Sequence, residues 1–472
     1  MSPEPTLSHE TERIAARPPE RDQAEQVALA IAWSAVSPGR VGEVALLGDE
    51  PAWLGRGEAL PDDGGPRLLF GRQRPGSFVP CGPLMEPAVS RRQLRVTLTG
   101  DGVEVESVGL CPLLVDGERA RHVVVGPGAV LHLEGQLVLS VVARRPMPRL
   151  LHWPQDHTGP FGERDLLGLV GESPAMWHLR ERLALTARLA PHVLLTGESG
   201  TGKELAARAI HGLSSRGSRA AVARNAATLP PSLVDAELFG NVRDYPNPGM
   251  RERRGLIGEA DGSTLFLDEI GELPEAMQAH LLRVLDAGGE YHRLGEATVR
   301  RSDLRLVAAT NRDPAELKHD LLARLPLRVE LPPLSARLED VPLLARQLIR
   351  DAVRDNPAIA AAADPTVEPE LMDALLRHSY TTHVRELSSL LWAALTSSTG
   401  RVGVTGEVRE RLLLRPSSAR TPGGVEPSRD ELIAALEAHG GNISRAWSSL
   451  GLSSRFALYR LLRKHGLTPE RG

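Results

Sequence analysis

Residues 197–204 read Gly-Glu-Ser-Gly-Thr-Gly-Lys-Glu, a spacing suited to phosphate. Gly197, Gly200 and Gly202 free the backbone for positive φ, so successive N–H groups turn onto one set of anionic oxygens. Glu198, Ser199 and Thr201 fill the loop between them, and Lys203 brings a cation to the β- and γ-oxygens of ATP. Glu204 stands where the generic motif carries Ser or Thr, so no hydroxyl is offered there to Mg2+. Farther along, STLFLDEI ends an apolar run on Asp268-Glu269. At such a strand tip Asp268 is expected to hold Mg2+ through water, and Glu269 to orient or deprotonate the attacking water. LRLVAATNRD ends another run on Thr310-Asn311, an amide placed to sense the γ-phosphate or position water. Lys318 and Arg324 follow, and a guanidinium brought to a neighbour's phosphate stabilises transition-state charge. The chemistry these residues predict is ATP hydrolysis.

The elements that must position them are legible too. His192-Val193-Leu194-Leu195-Thr196 precedes the glycine loop as a buried strand, and LAARAIHGL follows it as a helix. From 166 to 335 strand and helix patterns alternate, which predicts an α/β unit with a parallel sheet. Residues 336–400 are helical in pattern and form its lid. Before this unit, residues 25–145 carry short β-branched runs punctuated by Gly, Pro and Asp, the pattern of an all-β sandwich. Residues 1–24 have the composition of a disordered tail, 146–165 and 401–427 read as linkers, and 428–472 as a small all-α piece. The chain has 472 residues, with 56 basic against 60 acidic and a net charge of −4, so any nucleic-acid contact must be local. Two cysteines make no disulfide framework, and Cys81 and Cys111 read as small core residues in a reducing cytoplasm. The first residues lack the apolar core of a signal peptide, and no run is long enough to span a membrane.

These motifs, in this order, resemble the AAA+ module of the sigma-54-dependent transcription activators, the bacterial enhancer-binding proteins. The resemblance rests on LVGESPAM (169–176), GESGTGKE, NAATLPPSLVDAELFG (225–240), ADGSTLFLDEI (260–270), LVAATNRD (306–313), LPPLSARLEDVPLL (331–344) and HVREL (383–387). It implies a nucleotide site shared between subunits of a homo-oligomeric ring. Within it Lys203 binds phosphate, Asp268 and Glu269 serve Mg2+ and water, Asn311 is a sensor, Arg324 acts in trans and Arg385 is the lid sensor. The first of two trans arginines falls on Lys318, which keeps the charge and loses the bidentate fork. Where the family has WPGN, this chain has Tyr380-Thr381-Thr382-His383. Where the family has the GAFTGA loop that touches sigma-54 polymerase, residues 244–249 read DYPNPG. Pro246 and Pro248 remove two backbone donors there, so weak sigma-54 remodelling is expected. The alternative is an ATP-responsive DNA-binding regulator that never remodels that polymerase.

The two ends carry further resemblances. Residues 428–467 follow a helix-turn-helix grammar and resemble a Fis-type DNA-binding domain. From 428 to 472 there are seven basic and four acidic residues, a local excess of +3. Ser453, Ser454, Arg455, Tyr459, Arg460 and Lys464 are the residues expected to meet double-stranded DNA upstream of a promoter. The β region resembles a forkhead-associated (FHA) domain: Trp53-Leu54-Gly55-Arg56-Gly57 and Ser90-Arg91-Arg92-Gln93 match its Gly-Arg and S-R-x-H segments, with Gln for His. Arg56 and Ser90 are the expected ligands of a phosphothreonine protein. The family's Asn-Gly-Thr loop is absent from residues 105–120.

Overall fold

The computed structural model describes residues 25–58, 65–100, 102–230, 232–362, 364–398, 400–413 and 428–438, with Leu450, Leu458, Leu461, Leu462 and His465. Among the described residues, twelve strands form the first unit. They are β1 (Gln26–Ser34), β2 (Val44–Leu46), β3 (Ala52–Leu54), β4 (Gly71–Arg74), β5 (Ser77–Pro80) and β6 (Leu94–Thr99). β7 (Gly102–Ser107), β8 (Leu113–Val115), β9 (Glu118–Ala120), β10 (His122–Val125), β11 (Val130–Leu133) and β12 (Leu137–Arg144) complete it. Eight pair in the order β5-β4-β2-β1-β12-β11-β8-β9 and four in the order β10-β7-β6-β3. Leu29, Ile31, Leu131, Leu139 and Val141 of the large sheet meet Leu54, Leu94, Val96, Val103 and Val105 of the small one in one core. Alternate residues of a strand point to opposite faces. Yet Ala28, Ala30 and Ala32 of β1 and Val138, Ser140 and Val142 of β12 are buried as well. The outer face of the large sheet is therefore covered too.

Around Ala32, Val130 and Val138, what covers it is the lid of the next unit. That unit begins with α1 (Pro174–Arg188), whose N-cap Ser173 accepts from the Met176 N–H. Five strands follow: β13 (Val193–Thr196), β14 (Val222–Asn225), β15 (Thr264–Asp268), the later β18 (Arg305–Thr310) and β19 (Leu327–Glu330). A hairpin of β16 (Glu290–Tyr291) and β17 (Arg300–Arg301) separates β15 from β18 in sequence. The five are parallel in the order β14-β15-β18-β13-β19. Both faces of the central strands are buried, which is why they read as unbroken apolar runs. Helices α2 (Lys203–Gly212), α3 (Val234–Phe239), α4 (Gly255–Glu259), α5 (Glu275–Leu285) and α6 (His319–Ala323) connect them.

The lid contains α7 (Val341–Asp355), α8 (Pro357–Ala362), α9 (Pro369–Arg377), α10 (His383–Ser397) and α11 (Gly406–Leu413), with a small pair of β20 (Asp364–Val367) and β21 (Arg401–Val402). Ala32, Val130 and Val138 of the β unit share one core with Leu371, Leu375 and Leu376 of α9. Two stretches read as linkers are in part folded. Val402 and Val408 are fully buried and extend the lid core, and Trp153 is buried beside Trp177 and Leu183. Cys111 lies in the sandwich core, whereas Cys81 is only half-buried beside the exposed strand β5. α12 (Arg429–Ala438) packs Leu432 against Leu458, Leu461 and Leu462. Among the described residues no helix is long and apolar enough to cross a membrane.

Candidate nucleotide site

β13 delivers the glycine loop and α2 starts at its end, with Gly202 in the left-handed region as N-cap. Lys203 is buried at the first helical position, and its Nζ donates to the carbonyls of Gly197 (2.9 Å) and Glu198 (3.3 Å). Thr201 Oγ1 donates to the Glu198 carbonyl at 2.8 Å and tightens the loop. Glu204 faces outward and pairs with Arg208. The loop and the helix N-terminus give the geometry that polyphosphate needs: N–H groups, a helix dipole and one cation.

β15 lies next but one to β13 and ends on Asp268, which pairs in register with Asn225 of β14. Glu269 then turns with φ +51°. Its own N–H donates to Asp268 Oδ1 at 3.0 Å, and its Oε2 accepts the Asn311 N–H at 3.2 Å. Asn311 stands just past the end of β18, the strand between β15 and β13. Parallel strands end on the same side, so Lys203, Asp268, Glu269 and Asn311 gather at one edge of the sheet.

The lid closes on the same loop. Arg385 Nη1 donates to Ser199 Oγ at 2.7 Å, and the Val384 N–H donates to the Gly200 carbonyl at 3.2 Å. A Cβ on Gly200 would stand 2.1 Å from the Thr382 carbonyl, so only glycine fits there. Three groups that sequence reading passed over bind this arrangement. His383, fully buried with φ +48°, accepts the Leu334 N–H at Nδ1 (3.4 Å) and so donates from Nε2 to Glu198 Oε2 (3.0 Å). Arg337 reaches the Thr201 carbonyl at 3.2 Å from the segment that joins sheet to lid. Burial lowers its pKa, and Asp340 opposes that shift. Asp340 in turn accepts the N–H groups of Glu172 and Ser173, at 2.8 and 3.0 Å, and the Ser173 hydroxyl at 2.6 Å. An arginine inside the Pro- and Leu-rich run 331–338 was the available signal for Arg337.

The remaining candidates lie elsewhere. Arg324 caps α6 and pairs with Asp286 at 3.0 Å, while Lys318 faces Glu275 at 3.5 Å. In the β unit the Arg56 N–H donates to the Ser90 carbonyl at 3.1 Å, which brings the two expected phosphothreonine ligands together. Gln93 holds the Ser90 turn from inside the sandwich. It is fully buried, and its Oε1 accepts the N–H groups of Ser90 (3.1 Å) and Cys111 (3.3 Å). Ser90 Oγ accepts the Leu110 N–H at 3.0 Å. Residues 244–249 fold back against the β16–β17 hairpin, where Tyr245 closes on Gly295. The amide of fully buried Asn241 donates to the carbonyls of Val242, Tyr245 and Arg251 at the loop's base. A cavity of about 380 Å³ beside that base is lined by Arg224, Glu237, Arg253 and Arg254, and is separate from the glycine loop. The expected DNA contacts Ser453, Ser454, Arg455, Tyr459, Arg460 and Lys464 lie outside the described residues.

Residues 169–331 match the family described as the Sigma-54 interaction domain. The transcriptional regulatory protein ZraR of Salmonella typhimurium is 36% identical over 315 residues, spanning 64% of this chain and 70% of the relative. The chain belongs to the sigma-54 interaction family. It is a transcriptional regulator of that family with an ATP-binding AAA+ domain, and the alternative without sigma-54 is not favoured. Among other family members, the Nif-specific regulatory protein of Azotobacter vinelandii is 36% identical over 321 residues, 64% of this chain and 59% of that protein. The solved structure of NtrX from Brucella abortus in complex with ADP is 30% identical, covers 63% of this chain and 70% of its own, and has a TM-score of 0.47.

Proposed function

We propose that this sigma-54 family regulator hydrolyses ATP in a ring of identical subunits and passes the resulting movement to sigma-54 polymerase from an upstream DNA site. The observation that carries the reading is the gathering of Lys203, Asp268, Glu269 and Asn311 at one sheet edge beneath Arg385 of the lid. The donor set fits ATP and Mg2+: a cation and N–H groups for phosphate, and a carboxylate for a hydrated divalent ion. Bound ATP with Mg2+ supplies the bond whose cleavage does work. Lys203 holds the phosphates, Asp268 holds the hydrated ion, and Glu269, steadied by the Asn311 N–H, takes the proton of attacking water. Arg324 has Asp286 and the Asp320 carbonyl as its side-chain partners, which supports its use by a neighbouring subunit. The C-terminal residues around Arg455 and Arg460 would hold DNA, and Arg56 with Ser90 would read a phosphothreonine protein.

The test is open-complex formation in vitro. Weak ATP-dependent opening with sigma-54 polymerase, and none with the main polymerase form, is expected on a promoter carrying the upstream site, and opening should strengthen when residues 244–249, DYPNPG, are rewritten as GAFTGA. Lys203→Ala should lose nucleotide binding, and Glu269→Gln should bind and not turn over. Mixing Arg324→Ala with Glu269→Gln chains should restore part of the activity, because one intact arginine then meets one intact carboxylate. ATP hydrolysis without opening by sigma-54 polymerase would leave the motor and remove the proposed output.

A further inference from the structure

The β unit grips the ATPase on both sides of its hinge. The hinge is the segment 331–340, between the end of β19 and the start of α7. On the lid side, Ala32, Val130 and Val138 pack into α9, and Trp33 Nε1 donates to the Val367 carbonyl at 2.7 Å. Alanines on the outer face of β1 let the helix approach closely. On the sheet side, Arg74 of β4 binds the Glu172 carboxylate through two N–H groups, at 2.6 and 3.1 Å. Glu172 directly precedes the N-cap of α1. At the hinge itself, Arg144 at the end of β12 pairs with Glu339 and donates to the Glu172 carbonyl at 3.2 Å. None of these contacts touches nucleotide ligands, yet together they span the joint that the lid turns on.

We propose that the β unit is a strap across this hinge, which holds the lid closed on the glycine loop and sets how fast nucleotide leaves. The proposal rests on the nucleotide reading of residues 197–203. A strap is two attachments in series: the lid is held to the β unit, and the β unit to the sheet. Weakening either attachment frees the lid, and weakening both adds little. Two independent braces would behave differently, because their effects on the opening equilibrium would multiply.

The experiment uses the full chain with Arg74→Ala, Trp33→Phe and the double variant. Opening is read by amide hydrogen exchange of residues 379–387 and 197–203 without nucleotide, and by release of a fluorescent ADP analogue. Arg74→Ala should raise exchange and release roughly tenfold, and Trp33→Phe about threefold, the factors of a charged and a neutral hydrogen bond. The double variant should stay near tenfold. A double effect near the product of the two, or no change in any variant, overturns the strap. Exchange in β18 must match the parent, which shows that the sheet is intact. If Arg74→Ala does not fold, Arg74→Lys replaces it and should give a smaller increase, again without multiplying with Trp33→Phe. Failure of the parent to bind the ADP analogue would remove the nucleotide reading, while exchange would still decide the strap.

Discussion

Glu269 holds a left-handed backbone, φ +51°, that residues with a side chain seldom adopt. The cost is roughly 1–2 kcal/mol, and the surroundings offset it by fixing its N–H on Asp268 and its carboxylate on the Asn311 N–H. Such strain is kept where the side chain must be aimed. Asparagine tolerates this region, so Glu269→Asn should raise the unfolding free energy by about 1 kcal/mol while abolishing ATP turnover. Denaturant titration and phosphate release measure the two effects. A variant that is both inactive and less stable would mean that the lost bond from the Asn311 N–H outweighs the relief of the turn. His383 shares the left-handed conformation, φ +48°, but uses it to bring its ring onto Glu198 of the glycine loop.

At the scale of elements, the loop after α3 is a closed structure. Asn241 donates to three carbonyls, and backbone bonds join Asn241 to Arg253 and Val242 to Leu294 of the hairpin. Replacing Asn241 by Ala strands those carbonyls at a cost of about 1–3 kcal/mol. Protease cleavage between 243 and 251 should then become several-fold faster, with the unfolding midpoint of the sheet little changed; equal cleavage would show that the prolines alone hold the loop. The elements themselves were legible in the sequence wherever the signal was local. Glycine spacing placed the loop between β13 and α2, and apolar runs ending in Asp268 and Asn311 placed the tips of β15 and β18. What stayed hidden depends on partners far along the chain. His383 and Glu198 are 185 residues apart, and Arg337 and Thr201 are 136 apart. The doubly buried face of β1 and β12 was visible as VALAIAWS and LVLSVV, but nothing local says that a lid helix covers it.

At the scale of the molecule, two units meet through a buried ion pair, Arg144 with Glu339, across 195 residues of sequence. Two effects oppose each other there. Burial disfavours the charged carboxylate and Asp340 repels it, while Arg144 favours it. Burial wins, and Glu339 is pushed from an ordinary value near 4.5 up to about 7. A raised carboxylate means that the folded chain holds a proton which the unfolded chain has released. The stability Glu339 contributes is therefore full below about pH 4.5 and is lost as pH rises toward 7, with a plateau above. Glu339→Gln keeps a polar partner for Arg144 and cannot ionise. The parent and the variant should be equally stable near pH 5, and the variant should be more stable by a few kcal/mol at pH 8. Paired thermal unfolding from pH 5 to 8 measures the difference, since other carboxylates cancel between the two chains. A variant less stable than the parent at pH 8 would mean that the pair is ionised and stabilising, so that attraction by Arg144 exceeds the cost of burial.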